Sequence, residues 1–278
     1  MSKGRLIALV TLTLLVALGV GSWLSGGLEA LLVSIFGPPR VEMAETYAAA
    51  EGDGVFDHSR YGELVSKHAS REGFVDYAAL ARDPAELDAY VSSLASAELD
   101  ALPRDERLAL LINAYNAFTL RLILDHLPLE SIRDIPASDR WDGERWMLAG
   151  NTYSLNQIEH ELIRPNFQEP RIHFALVCAA IGCPPLRNEA YTGARLEQQL
   201  EAQTRLVHGN ERWLRYRPGN GTIELTSLYL WYAGDFEQIG GSVLEYVARY
   251  DQDLANDLRA GHIPSVRHLD YDWSLNAR

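Results

Sequence analysis

The stretch "PRDERLALLINAYNAFTLRLILDHLP", Pro103 to Pro128, decides the fold. Its apolar residues run almost all round a helical wheel, so this helix is expected over 103–126 at the centre of the domain, buried on every side. Proline punctuates both ends. Asn113 and Asn116 lie three apart, on one face of this apolar helix. Buried amides need partners, and an unsatisfied one costs about 1–3 kcal/mol. The pair therefore points to a polar network, expected to hold a loop or neighbouring backbone in place rather than to floor a site.

Outward from it, helical periodicity is read over 58–69, 84–96, 155–163, 193–208, 227–233 and 241–259. Ser154 and Gln157 have capping-box spacing and start the 155–163 helix. Strands are fewer. "RWMLAGNTYSL" (145–155) reads as a hairpin turning at Gly150-Asn151, and "RWLRYRPGNGTIELT" (212–226) as one turning at Pro218 to Gly221. "RIHFALVC" (171–178) reads as a buried strand and "VRHLDYDW" (266–273) as a late one. Helices followed by a small sheet with interspersed helices give an α+β fold, with a helical N-terminal half packed on a small antiparallel sheet.

Composition narrows the partners. The chain has 278 residues, 47% hydrophobic, with a net charge of −13. Residues 1–40 carry Lys3, Arg5 and Arg40 against Glu29, so the remainder is more acidic still. Such a surface repels phosphate backbones, and no basic stripe compensates; nucleic acid is excluded as a partner. Lys3 and Arg5 precede an apolar run from Leu6 to Leu24, followed only by a weak cleavage site, "GVGS" (19–22). Residues 1–25 are read as a signal anchor or a signal peptide, with anchoring the favoured reading. The basic start keeps the N-terminus in the cytoplasm. The rest is expected outside it, attached to the inner membrane through this helix with the domain facing the periplasm, or released there. "SGGLEALLVSIFGPPR" forms a juxtamembrane connector over 26–40, and 41–278 reads as a single domain.

The chemistry concentrates in "RIHFALVCAAIGCPPLRNEAY" (171–191), which holds both cysteines. Cys178 ends the expected strand and is followed by the small residues Ala179 and Ala180. That position suits a nucleophile, and equally a small buried hydrophobe. On a regular strand His173 faces away from Cys178. His160, on the preceding helix, could approach Cys178 after a chain reversal at 165–170; it could equally be structural. Cys183 precedes Pro184-Pro185, and an exporting compartment permits a Cys178–Cys183 disulfide. A metal site lacks a companion Cys or His pair, so no metal is expected. Nothing indicates a cofactor. Trp231, Asp235, Asp272 and Trp273 read as aromatic core with capped turns, or as walls and an orienting carboxylate for a cleft.

Six ordered motifs, "LLINAYNAF", "YSLNQIEHELIR", "RIHFALVCAAIGCPPL", "EAYT", "LYLWYAGDF" and "YDWSLN", resemble the DUF547 family, over most of 105–276. The resemblance implies a papain-like or transglutaminase-like cysteine-hydrolase fold with rearranged strand order, and a Glu–His–Cys set proposed as catalytic. Carried across by motif, these are Cys178, His160 or His173, and Glu159. Plant relatives place another residue where Cys183 stands, which favours Cys178 as nucleophile. The implied reaction is acyl transfer from an amide, peptide or ester through a thioester, the turn at Ala179–Gly182 donating N–H groups to the oxyanion. The alternatives are a non-catalytic module binding a peptide or small ligand, and a disulfide-linked redox element. Neither substrate nor oligomeric state is encoded legibly.

Overall fold

The computed structural model describes residues 37–219 and 221–278. The anchor or signal read over 1–25, and the connector up to residue 36, lie outside the described residues.

Helices α1 (Ser59–His68), α2 (Tyr77–Arg82) and α3 (Ala85–Leu94) precede the central α4 (Arg104–His126). Every residue of α4 from Glu106 to Leu120 is buried. Asp105 and Glu106 occupy its first turn and His126 its last, matching the ends of the helix dipole. It stops at Leu127 because the residue before Pro128 disfavours helical backbone. Among the described residues it is the one helix apolar and long enough to cross a membrane, yet its apolar window is 83% buried inside the protein.

Beyond a short α5 (Ala137–Arg140), strands β1 (Trp146–Leu148) and β2 (Asn151–Tyr153) form the first hairpin. Its turn falls at Ala149-Gly150, one residue earlier than expected, with φ of 49° and 77° as a primed turn requires. Trp146 stacks on Phe118 of α4, ring centroids 5.0 Å apart, and so fixes the hairpin to the core. Helix α6 (Leu155–Gln157) opens with the Ser154/Gln157 capping box and continues as a π-helical segment, Ile158–Ile163. Arg164 N–H donates to the Glu159 carbonyl five residues back.

The later half builds a second core. Helix α7 (Leu196–His208) leads into β3 (Leu214–Tyr216) and β4 (Thr222–Leu225), then α8 (Leu228–Trp231), α9 (Ala233–Gly240), α10 (Val243–Val247), α11 (Gln252–Arg259) and β5 (Ser265–His268). Aromatic rings dominate beneath this sheet: Phe174, Trp213, Tyr229, Phe236 and Tyr246. The fold is α+β.

Several local expectations are corrected. The three-stranded sheet is mixed rather than antiparallel: β3 and β4 are antiparallel, β4 and β5 parallel. Helices α8 to α11 intervene between β4 and β5, supplying the crossover that parallel pairing needs. The helix expected at 241–259 is two helices, α10 and α11, separated by a turn; α9 and α2 were not anticipated. The late strand covers 265–268, and the chain beyond it runs as an extended tail.

The largest correction concerns "RIHFALVC". Pro170–Phe174 is a 3-10 helix, and Ala175 to Cys178 follows without strand pairing. Its strand-like composition is overridden by α4. Asn116 donates to the Ala175 carbonyl (3.0 Å) and accepts from Val177 N–H (2.9 Å), taking the place of a neighbouring strand. Asn113 does the same for Tyr191, at 2.7 and 2.9 Å. The two asparagines are 0% and 1% exposed, as a fully satisfied pair can be.

Candidate functional site

Two groups of side chains meet where the two cores join. The first is ionic. Arg164 and Asp235 form a bidentate pair, Nε to Oδ2 at 2.7 Å and Nη2 to Oδ1 at 2.9 Å, with both side chains almost fully buried. His173 Nε2 lies 2.8 Å from Asp235 Oδ2, and its ring stacks on Tyr232 at 3.7 Å. Burial raises the Asp235 carboxyl, but Arg164 and His173 outweigh it and hold it well below the usual range. Asp235 is therefore the acceptor, and His173 donates through Nε2.

Glu159 sits between two imidazoles, its Oε1 3.8 Å from His173 Nδ1 and 3.9 Å from His160 Nδ1. Neither distance is a hydrogen bond. Burial raises its carboxyl; His160, His173, Tyr232 and Arg164 together bring it below the ordinary value, so it is ionised at neutral pH. Tyr115 and Tyr232 lie beside it. The π-helical segment makes this convergence possible, turning Glu159, His160 and Arg164 toward one interior.

His160 has a defined tautomer. Arg164 Nη1 lies 3.2 Å from His160 Nδ1, and a guanidinium can only donate. Nδ1 therefore accepts, and the neutral ring carries its proton on Nε2. Burial lowers the imidazole below its usual value, and Arg164 and His173 add to this while Glu159 opposes it. The side chain stays 24% exposed. His160 thus carries an N–H on a partly exposed ring, suited to donating a hydrogen bond.

The second group surrounds the thiols. Both cysteines are free; Cys178 is partly exposed and Cys183 is buried. Cys178 N–H donates to Cys183 Sγ at 3.2 Å, and Tyr271 hydroxyl lies 3.1 Å from Cys178 Sγ. The Cys183 thiol, then Tyr271 and the Ala180 N–H, lower the Cys178 thiol against burial and the Glu159 charge. Burial pushes Cys183 the other way, and Cys178 adds to the rise. Ala179, directly after Cys178, takes φ of 57°, a left-handed conformation costing a non-glycine residue about 1–2 kcal/mol. Asn276 N–H donates to the Ala179 carbonyl, which helps hold that conformation.

The C-terminal tail closes this side. Ile181 N–H donates to Ser274 and Gly182 N–H to Asp272, each at 2.8 Å. Gly182 is needed there: a Cβ would stand 2.8 Å from the Asp272 nitrogen. With Cys183 N–H also bonded, to the Ala180 carbonyl, only Ala179 and Ala180 of the expected oxyanion donors remain uncommitted to backbone among the described residues. Tyr271 contacts Trp231 and Trp273 at 4.9 and 4.6 Å, in a half-exposed aromatic wall.

The structure thus gathers Glu159, His160 and His173 into one cluster, where the motifs offered the two histidines as alternatives. Cys178 stands in the adjoining group, and no imidazole is hydrogen-bonded to it among the described residues. Without a strand, the alternating-face relation between His173 and Cys178 does not apply; Asp235 holds His173 instead. Sequence reasoning missed Arg164, Tyr115, Tyr232 and Tyr271. Arg164 was signalled by its spacing four residues after His160 in "EHELIR". The tyrosines carried no local signal. Among the described residues, no group of His, Cys, Asp and Glu could hold a metal ion.

A family model described as "Protein of unknown function, DUF547" matches residues 99–206. No curated protein and no solved structure matches. The matched span carries α4 with both asparagines, the π-helical segment and the cysteine turn; Asp235 and Tyr271 lie beyond it. This match supports, over residues 99–206, the resemblance to the DUF547 family that the motifs carry.

Proposed function

We propose that this protein is a cysteine-dependent acyl-transfer enzyme, with Cys178 as nucleophile, acting on an amide, peptide or ester. The observation that carries the reading is one partly exposed sulfur, Cys178 Sγ, with the Tyr271 hydroxyl 3.1 Å away and Cys183 Sγ held beside it by the Cys178 N–H. Hydrogen bonds to the ionised form favour a thiolate. The thiolate attacks the carbonyl carbon to form a tetrahedral adduct, whose collapse gives a thioester and releases an amine or alcohol. Water or a second amine then takes the acyl group. The Ala179 N–H, which has no backbone acceptor, suits the oxyanion, and His160 Nε2–H suits a hydrogen bond to the leaving group, which takes its proton from water. Glu159 and the Arg164–Asp235–His173 set are positioning residues in this scheme. The papain-like or transglutaminase-like ancestry implied by the motifs belongs to the same proposal.

Alkylation of Cys178 by iodoacetamide across pH tests the thiolate. Cys178 is expected to react well below pH 8. Tyr271→Phe removes a hydrogen bond to a charged group and should raise its apparent pKa by about one unit, on the order of 1.4 kcal/mol. An ordinary thiol profile, unchanged in Tyr271→Phe, would sink the assignment.

A second reading has its own support. With no imidazole bonded to Cys178 among the described residues and the histidines engaged by Arg164 and Asp235, the same site suits a non-catalytic module that binds a peptide or small ligand. A burst of one acyl group per chain with an activated ester, absent in Cys178→Ser, separates the two. We place the domain outside the cytoplasm, tethered through residues 1–25 or released to the periplasm. N-terminal sequencing of the mature protein distinguishes these: a start near Ser25 means release.

A further inference from the structure

The two thiols are not independent. Cys183 N–H donates to the Ala180 carbonyl at 3.1 Å, folding the chain back so that Cys183 Sγ accepts from Cys178 N–H at 3.2 Å. That bond sets Cys183 Sγ against the Cys178 residue itself, with Cys178 partly exposed and Cys183 buried. The Asp272–Ser274 tail clamps the turn between them. Cys178 is therefore the more accessible of the two thiols, with Cys183 directly beside it.

We propose that Cys178–Cys183 is a hydroperoxide-responsive pair, in which Cys183 resolves oxidised Cys178 and masks the nucleophile as a reversible disulfide. In the first step the Cys178 thiolate attacks the distal oxygen of a hydroperoxide. An S–O bond forms and the O–O bond breaks, giving a sulfenic acid while the peroxide is reduced to hydroxide or alkoxide, which takes up a proton. In the second step Cys183 sulfur attacks the sulfenic sulfur. The S–S bond forms, the S–O bond breaks, and the departing hydroxyl leaves as water with the Cys183 proton. Two thiols are oxidised by two electrons overall, and one peroxide is reduced. Without Cys183 the sulfenic acid would proceed to the irreversible sulfinic state. A buried thiol has little reactivity of its own, but adjacency makes it a resolving one.

This inference rests on the thiolate character of Cys178 proposed above, not on acyl transfer. The test treats the full-length chain with hydrogen peroxide in the presence of dimedone, followed by non-reducing peptide mapping. Wild type should lose both free thiols together, show a Cys178–Cys183 link with loss of two hydrogens, and recover both thiols in dithiothreitol. Cys183→Ser should instead carry dimedone on Cys178 or advance to the sulfinic acid. Dimedone on Cys178 of the wild type to the same extent as in the variant, oxidation of Cys183 first, or links between chains would each overturn the proposal. The wild-type map alone decides if the variant does not fold. Iodoacetamide profiles of untreated samples separate the failures. A low-pKa Cys178 that forms no link defeats the resolving role alone, whereas an ordinary Cys178 profile defeats the thiolate reading beneath it.

Discussion

The aliphatic core around α4 and the aromatic core beneath β3–β5 both bury histidine away from the candidate site, and they accommodate His58 and His208 differently. In the aliphatic core, His58 Nδ1 faces Tyr90 hydroxyl at 2.8 Å, while its Nε2 is buried without a partner. In the aromatic core, His208 Nδ1 donates to the Thr204 carbonyl at 2.7 Å and Nε2 accepts from Tyr229 hydroxyl at 2.6 Å. Burial drives both imidazoles down to about 4, so both are neutral despite their different satisfaction. At the seam between the cores His173 is treated otherwise, with a carboxylate at its Nε2. Burial alone makes a histidine neutral; a carboxylate beside it is a separate device, and it is found where the two cores meet.

The seam is where the contrast breaks most visibly. Asp235→Ala leaves Arg164 charged, buried and unpaired, and should cost about 3–5 kcal/mol. Urea unfolding measures it; a loss below about 1 kcal/mol would show that Arg164 finds water or another partner at the seam. Next in size is the pH response of the two isolated histidines. Their folded values lie below the unfolded value near 6.5, so the unfolded chain binds more protons between about 6.5 and about 4. Stability is therefore full above that window and falls as pH drops through it, by up to about 3 kcal/mol per histidine. His58→Phe should remove one share of that slope and also the unpartnered nitrogen. His208→Phe should remove the other share but strand the Tyr229 hydroxyl, so its stability at pH 7 should be the lower of the two. A flat unfolding profile from pH 6.5 to 4.5 would contradict the burial of both rings. The smallest effect sharpens the account of the aliphatic core. Asn113→Ala and Asn116→Ala should each cost about 1–3 kcal/mol. Only Asn116→Ala should change Cys178 alkylation, because it alone holds the Ala175–Val177 backbone leading into the thiol. Equal effects on Cys178 from both would mean that the clamp acts on the whole loop.

Patterns carried by neighbouring residues were legible from the amino-acid string. The central helix, its proline boundaries, the Ser154/Gln157 cap and the hairpin at 212–226 depend on periodicity, capping and turn chemistry, which act within a few residues. So did the scaffold role of the two asparagines, because an amide on the most apolar helix must find a partner. The inequality of the two cysteines was likewise expected from the motifs, whereas they offered His160 and His173 only as alternatives. Tertiary structure decided the rest. Local pattern made 171–178 a strand, but Asn116, about sixty residues away in sequence, supplies its hydrogen bonds and leaves no strand to form. The tautomer of His160 follows from Arg164 at its Nδ1, and the lowered pKa of Cys178 from Cys183, Tyr271 and the Ala180 N–H. Tyr271 reaches the sulfur only because the tail folds back along the cysteine turn. Protonation states are set by what surrounds a group in space, and the groups that set them here come from α4, the π-helical segment, α9 and the C-terminal tail.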